Sequence, residues 1–123
     1  MNIALGPTIN ILRIPEGGRD YEAFGEDPVL TSSIAAALIP AGAAHGLIMT
    51  AKHLLNHEDE MLQFGNFVVD DRTEREVYLA PFAASLQAGA TAVMCASNQE
   101  TGLPSCANRS AGAAPFSPWR WRP

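Results

Sequence analysis

The sequence predicts an α/β fold, a βαβαβ unit whose strands are parallel. Three observations carry this reading. Short apolar runs recur near residues 2–6, 47–51 and 91–96. Between them, near 28–39 and 72–88, apolar residues return at helical spacing. Glycine or proline punctuates each junction. Parallel strands joined through helices form right-handed crossovers, so the three strands should be neighbours in one sheet.

In chain order, Asn2 to Leu5 is stopped by Gly6-Pro7 and reads as a strand end. Pro15-Glu16-Gly17-Gly18 opens a loop that continues to Glu26. Asp27-Pro28 starts the first helix, with Asp as N-cap and Pro tolerated in the first turn. Ile34, Ala35, Leu38 and Ile39 follow, and Pro40 should kink or end the helix. Leu47 to Ala51 is a fully buried strand with Lys52 and His53 at its C-terminal end, and Phe64 to Val69 connects onward. Asp71 and Glu74 have capping-box spacing. Leu79, Phe82, Ala83 and Leu86 give the second helix its apolar face, although Pro81 interrupts it. Gly89 closes that helix and Thr91 to Ala96 is the third strand. After Asn98 the pattern stops, and residues 107–123 read as a disordered tail.

A chain of 123 residues, 47% hydrophobic and 17% charged, is one globular domain in size and composition. Residues 1–108 hold thirteen acidic and five basic groups, a net charge of −8, and the only lysine. That balance argues against nucleic acid, whose phosphates need clustered Lys and Arg. The longest apolar-biased stretch, Ile34 to Met49, is broken by Pro40, two glycines and His45, so no membrane span is expected. The residues after Met1 lack the charged-then-apolar pattern of a signal peptide. Cys95 and Cys106, eleven positions apart, form either a local disulfide or two free thiols.

Functional side chains in α/β folds gather beyond the C-terminal ends of the strands. Those places hold Arg19 to Glu22, Lys52-His53 and Ser97-Asn98. Such a donor-rich rim suits a ligand with many hydroxyls, such as a sugar; the alternative is a set of ordinary solvated loop residues. Glu58-Asp59-Glu60 reads as a solvated acidic face. His53, His57 and Glu60 would share one face of a helix and suit a metal, but His53 belongs to a strand end. No metal and no cofactor is expected.

The same residues carry a resemblance. Gly18-Arg19-Asp20-Tyr21-Glu22-Ala23-Phe24-Gly25-Glu26-Asp27-Pro28 resembles the Gly-Arg-(Asn/Asp)-(Trp/Tyr)-Glu-x-Phe-x-x-Asp-Pro pattern of glycoside hydrolase family 3 β-glucosidases. Thr50-Ala51-Lys52-His53 is similar to that family's Ala-Lys-His strand end. The stretch from Val69-Asp70-Asp71-Arg72-Thr73 to Glu76-Val77-Tyr78-Leu79-Ala80-Pro81-Phe82 resembles its Asp-(Asp/Glu)-(Arg/Lys)-Thr…Glu-(Ile/Leu)-Tyr-Leu-x-Pro-Phe helix. Val93-Met94-Cys95-Ala96-Ser97-Asn98 resembles its Met-Cys-Ser-Tyr-Asn segment. The four blocks keep the family's order and spacing.

The resemblance implies that residues 1–106 are part of an incomplete TIM-type (β/α)8 barrel domain, with 107–123 unrelated to it. It implies that Arg19, Lys52 and His53 hydrogen-bond the hydroxyls of the non-reducing glucosyl unit of a β-glucoside, and that Met94 lines the same pocket. Against this, Arg19 pairs only with a loop carboxylate, Lys52-His53 is a buried structural pair, or Met94 is plain core. The fungal branch of the family implies a Cys95–Cys106 disulfide, and such proteins are usually secreted. Three departures stand out: Ser97 replaces an aromatic residue, Gln63 replaces the arginine of Glu-x-x-Arg, and Pro40 to Ala43 replaces Gly-Ile-Gln.

A retaining glycosidase uses two carboxylates about 5–5.5 Å apart. The family's nucleophile is an aspartate on a strand after the Met-Cys segment, and its acid/base lies in a second domain. Residues 99–123 contain no aspartate, and Glu100 is their single acid. No catalytic residue is therefore assigned in this chain, which is expected to be inactive alone. The leftover readings are a non-catalytic sugar-binding or interaction remnant. Three strands of a barrel leave two unpaired edges, so self-association through them is expected.

Overall fold

The computed structural model describes residues 2–108. It is a mixed α/β structure built on a parallel sheet. Strand β1 (Ile3–Ala4) is followed by a long loop and helix α1 (Pro28–Ala44). Strand β2 (Ile48–Leu54) lies at the centre of the sheet. After strand β3 (Asn66–Phe67) come helix α2 (Asp71–Thr73), a π turn (Glu74–Tyr78) and helix α3 (Ala80–Gln87). Strand β4 (Ala92–Cys95) completes the main sheet in the order β1-β2-β4. Ile3 pairs with Ile48, and Thr50, Ala51 and Lys52 pair with Ala92, Val93 and Met94, all parallel. The three strands and their parallel pairing match the sequence reading. So does the N-cap, in which the Asp27 carboxylate accepts from Val29 N–H at 2.8 Å.

Two helical details differ from expectation, and both turn on proline. Helix α1 does not end at Pro40 but runs to Ala44. Thr31, Ala35 and Ile39 form its buried stripe, while Pro40 is exposed. The turn beyond Pro40 docks on β2, where Gly42 lies so close to the Met49 side chain that a Cβ would overlap it. Packing on both sides thus outweighs one lost backbone hydrogen bond. The second helix, expected as one piece over 72–88, is instead broken. Pro81 has no N–H for the Val77 carbonyl, so Leu79 N–H reaches back five residues to Glu74 O at 2.8 Å. Helix α3 then starts afresh with Pro81 in its first turn. The N-cap is Asp70 rather than Asp71: its Oδ1 accepts from Arg72 and Thr73 N–H, each at 3.1 Å. Glu74 turns inward instead of closing a capping box.

The core is Ile9, Ala35, Ala51, Leu54, Leu55, Leu79 and Phe82, with Phe24 and Val93 packed against it. It lies between the sheet and the mutually packed α1 and α3. Regular structure also continues past Asn98, against expectation. Strands β5 (Gln99–Glu100) and β6 (Leu103–Pro104) make a hairpin, and β5 pairs with β3 in a second small sheet. A disulfide joins Cys95 to Cys106, with Cα atoms 5.7 Å apart, and ties this hairpin to the end of β4. Of the expected tail, residues 109–123 lie outside the described residues. Among the described residues no helix is long and apolar enough to cross a membrane.

Candidate functional site

Strand β2 is longer than the apolar run that signalled it, so Lys52 and His53 lie within it rather than beyond it. The loop after β1 runs alongside: Lys52 N–H donates to Pro7 O at 3.0 Å, and Ile9 N–H donates to Lys52 O at 2.9 Å. The pairing of β2 with β4 slips between Lys52 and Leu54. His53 therefore lacks a partner on β4 and is held from the other side. Its N–H donates to Asn10 Oδ1 at 2.8 Å, and Asn10 Nδ2 donates to its carbonyl at 2.9 Å.

A short 3-10 turn, Asp20–Glu22, brings the Glu22 carboxylate between Arg19 and Lys52. Arg19 grips it through two nitrogens, Nε to Oε1 at 2.9 Å and Nη2 to Oε2 at 3.1 Å. Lys52 Nζ reaches Oε2 at 3.0 Å, and the Thr8 hydroxyl donates to the same oxygen at 3.1 Å. The Arg19 hydrogen bond, with Lys52 and Thr8 adding to it, holds this carboxyl down at about 2. Glu22 is thus a permanent anion clamping two cations. Arg19 Nη1 also reaches Glu60 Oε2 at 3.4 Å, an oxygen shared with His57 Nε2 at 2.9 Å. Burial would raise Glu60, but the His57 hydrogen bond and the Arg19 charge outweigh it and hold the carboxyl low.

The His53 and His57 rings lie 4.5 Å apart between centroids. Burial, reinforced by the neighbouring His57, Arg19 and Lys52, pushes His53 down to about 4. At neutral pH its imidazole is uncharged, with one nitrogen able to donate and one to accept. Thr8, Asn10, Arg19, His53, His57 and Glu58 line a cleft of about 20 Å³, room for about one water. Gly17 closes its rim: a Cβ there would overlap the Asp20 carboxylate and press on the Glu58 carbonyl.

The structure therefore brings Arg19 and His53 to one cleft and links Lys52 to Arg19 through Glu22. Met94 pairs with Lys52 across the sheet and is half-buried, and it is not one of the residues lining the cleft. The expected acidic face at 58–60 is a correction. Glu58 is buried, Asp59 caps the turn Glu60–Leu62 by accepting from Met61 N–H, and Glu60 belongs to the Arg19 network. Among the described residues no group of three His, Cys, Asp or Glu is placed to hold a metal ion. Sequence reasoning missed Asn10 and the bridging role of Glu22. For Glu22 the signal was present, three residues after Arg19; for Asn10 there was none.

Comparison with known proteins identifies the family. The pattern described as "Glycosyl hydrolase family 3 N terminal domain" matches residues 1–111. The chain belongs to glycoside hydrolase family 3. Probable beta-glucosidase F of Aspergillus fumigatus is 42% identical over 107 residues, spanning 80% of this chain and 12% of that protein. Beta-glucosidase A of Aspergillus kawachii is 37% identical over 122 residues, spanning 87% and 14%. Among solved structures, DesR, a β-glucosidase from Streptomyces venezuelae in complex with D-glucose, superposes with a TM-score of 0.82 at 41% identity. It covers 89% of this chain and 14% of DesR. Beta-glucosidase 3B from Thermotoga neapolitana in complex with α-D-glucose gives 0.80 at 29% identity, covering 85% and 15%. This family 3 chain thus spans about an eighth of the length of the curated relatives it matches.

Proposed function

We propose that this family 3 chain is a β-glucosidase-like segment that binds the glucosyl unit of a β-glucoside through Arg19, Lys52 and His53, and that the chain alone does not hydrolyse it. The observation that carries the reading is the clamp: one half-buried carboxylate, Glu22, holds Arg19 and Lys52 at 2.9–3.1 Å while uncharged His53 lines the adjacent cleft. Cationic donors and an imidazole fixed in this way match a ring of hydroxyls. Relatives whose structures contain glucose support the ligand class. Met94, next to Lys52 on β4, would extend the apolar wall of that site. The parallel β1-β2-β4 sheet is read as part of a (β/α)8 barrel contributed by residues 1–106, with 107–123 outside it.

The state of Glu22 and Glu60 supports catalytic silence. Hydrolysis with retention needs one carboxylate free to attack and another able to give up a proton. Glu22 is saturated by Arg19, Lys52 and Thr8, and Glu60 is held by His57 and Arg19. Calorimetric titration with glucose or methyl β-glucoside should give binding that is weakened at least about tenfold in Arg19→Ala or Lys52→Ala, the loss of one charged hydrogen-bond partner. Nitrophenol release from an aryl β-glucoside should stay at the buffer blank. Binding unchanged in both variants would remove the site, and turnover lost on changing Glu58 or Glu60 would remove the silence.

A further inference from the structure

Asn10 is 7% exposed, and its side-chain amide is spent on His53, 43 residues away. The slip between Lys52 and Leu54 leaves the His53 main chain without a partner on β4. Buried N–H and C=O groups require partners. Asn10 supplies both, accepting from His53 N–H at 2.8 Å and donating to its carbonyl at 2.9 Å. An N–H can only donate and a carbonyl can only accept, so these two bonds fix which end of the Asn10 amide is oxygen. That same oxygen lies 3.4 Å from His53 Nδ1. An amide oxygen has no proton to give, so the contact is a hydrogen bond only when Nδ1 carries the ring proton. With the proton on Nε2 instead, two lone pairs would face each other. Burial, with the charges of His57, Arg19 and Lys52 adding to it, keeps the ring uncharged at neutral pH, so it holds a single proton. His57 makes no rival bond to that ring: its Nε2 is engaged with Glu60 Oε2 at 2.9 Å, and its Nδ1 has no partner.

We propose that Asn10 is a positioning residue: it fixes His53 as the Nδ1–H tautomer and so leaves Nε2 to a ligand as a hydrogen-bond acceptor. The proposal rests on the glucosyl reading above and deepens it. Asn10, Arg19 and His53 line the same cleft. Arg19 and Lys52 can only donate, so by themselves they would meet the oxygen of a hydroxyl and leave its proton unmatched. His53 Nε2 takes that proton. A hydroxyl both gives and receives, and the site then answers it on both counts.

Nitrogen NMR of the full chain carrying labelled histidine, at neutral pH and without ligand, tests this. In the wild type His53 should show a protonated Nδ1 and a bare Nε2, the latter resonating well downfield. In Asn10→Ala the two tautomers should mix and the two resonances draw together. Glucose added to the wild type should move Nε2 upfield as it accepts a hydroxyl proton. Glucose affinity in Asn10→Ala should fall about three- to tenfold, the worth of one hydrogen bond. A proton on Nε2 in the ligand-free wild type, or an unmixed Nδ1–H tautomer in Asn10→Ala, overturns the proposal. So does a bare Nε2 that stays in place while glucose binds. The wild-type tautomer needs no variant, and it decides even where Asn10→Ala fails to fold. A chain that binds no glucose would remove the glucosyl reading without altering the ligand-free tautomer, which separates the two failures.

Discussion

Glu58 is the most informative single position for stability. Its side chain is buried, and neither carboxyl oxygen has a hydrogen-bond partner. Burial pushes its carboxyl up to about 8; Arg13 pulls it back and Glu74 adds to the rise. In the unfolded chain the same group titrates at its ordinary 4.5. The folded state therefore binds the proton more tightly, so this contribution to stability is whole below pH 4.5 and is lost as pH rises through 8. At about 1.4 kcal/mol per pKa unit the ceiling is near 5 kcal/mol, and water penetration and relaxation bring the expectation to about 2–4 kcal/mol. Glu58→Gln removes the titration but keeps the shape. Urea unfolding of wild type and variant should coincide near pH 4.5 and diverge at about pH 9, with the variant more stable by that amount. A difference that stays flat with pH, or a variant less stable at alkaline pH, would refute the reasoning.

Three further outcomes are expected. Phe82, 1% exposed and at the centre of the core, should cost about 3–5 kcal/mol when changed to alanine, read from the shift of the urea midpoint. Reduction of Cys95–Cys106, whose loop spans a separation of 11 residues, should lower stability by about 2–3 kcal/mol and loosen the hairpin amides before those of β2. In the three-stranded sheet β1 and β4 form the edges, and Ile3 and Leu5 are 52% and 61% exposed. Sedimentation velocity should therefore show concentration-dependent self-association, reduced by Ile3→Lys; a concentration-independent monomer would remove the edge-pairing idea.

The alternation of strand and helix was legible because it rests on periodicity, which integrates over many residues. The misread details rest on single residues whose local rule lost to packing. Pro40 obeys the rule for helix breaking only until the Gly42–Met49 contact is known. Glu58, Asp59 and Glu60 look alike in sequence, yet one is buried, one is a cap and one joins the Arg19 network. In the site, Arg19, Lys52 and His53 were visible because each stands in a motif. Asn10 was not, because what it holds lies 43 residues away and its own surroundings carry no signal.

The Glu22 clamp explains how two cations can be fixed side by side at the rim of the cleft. Were Glu22 absent, Arg19 and Lys52 would repel each other and both long side chains would wander, losing rotamer freedom only on binding. With Glu22 and Glu60 in place, two anions offset the two positive charges, and what the site offers a ligand is directed hydrogen-bond donors rather than net charge. The clamp does not exhaust the donors. Arg19 uses one N–H on each of Nε, Nη1 and Nη2, which leaves a hydrogen free on both terminal nitrogens. Lys52 gives one ammonium hydrogen to Glu22 and keeps the others. Those spare hydrogens are held in fixed directions by bonds already made. A hydroxyl-rich ring can therefore collect them with little further ordering of the protein. The same carboxylate is thereby barred from chemistry, since an anion that releases its two cations to attack carbon would dismantle the proposed glucosyl site.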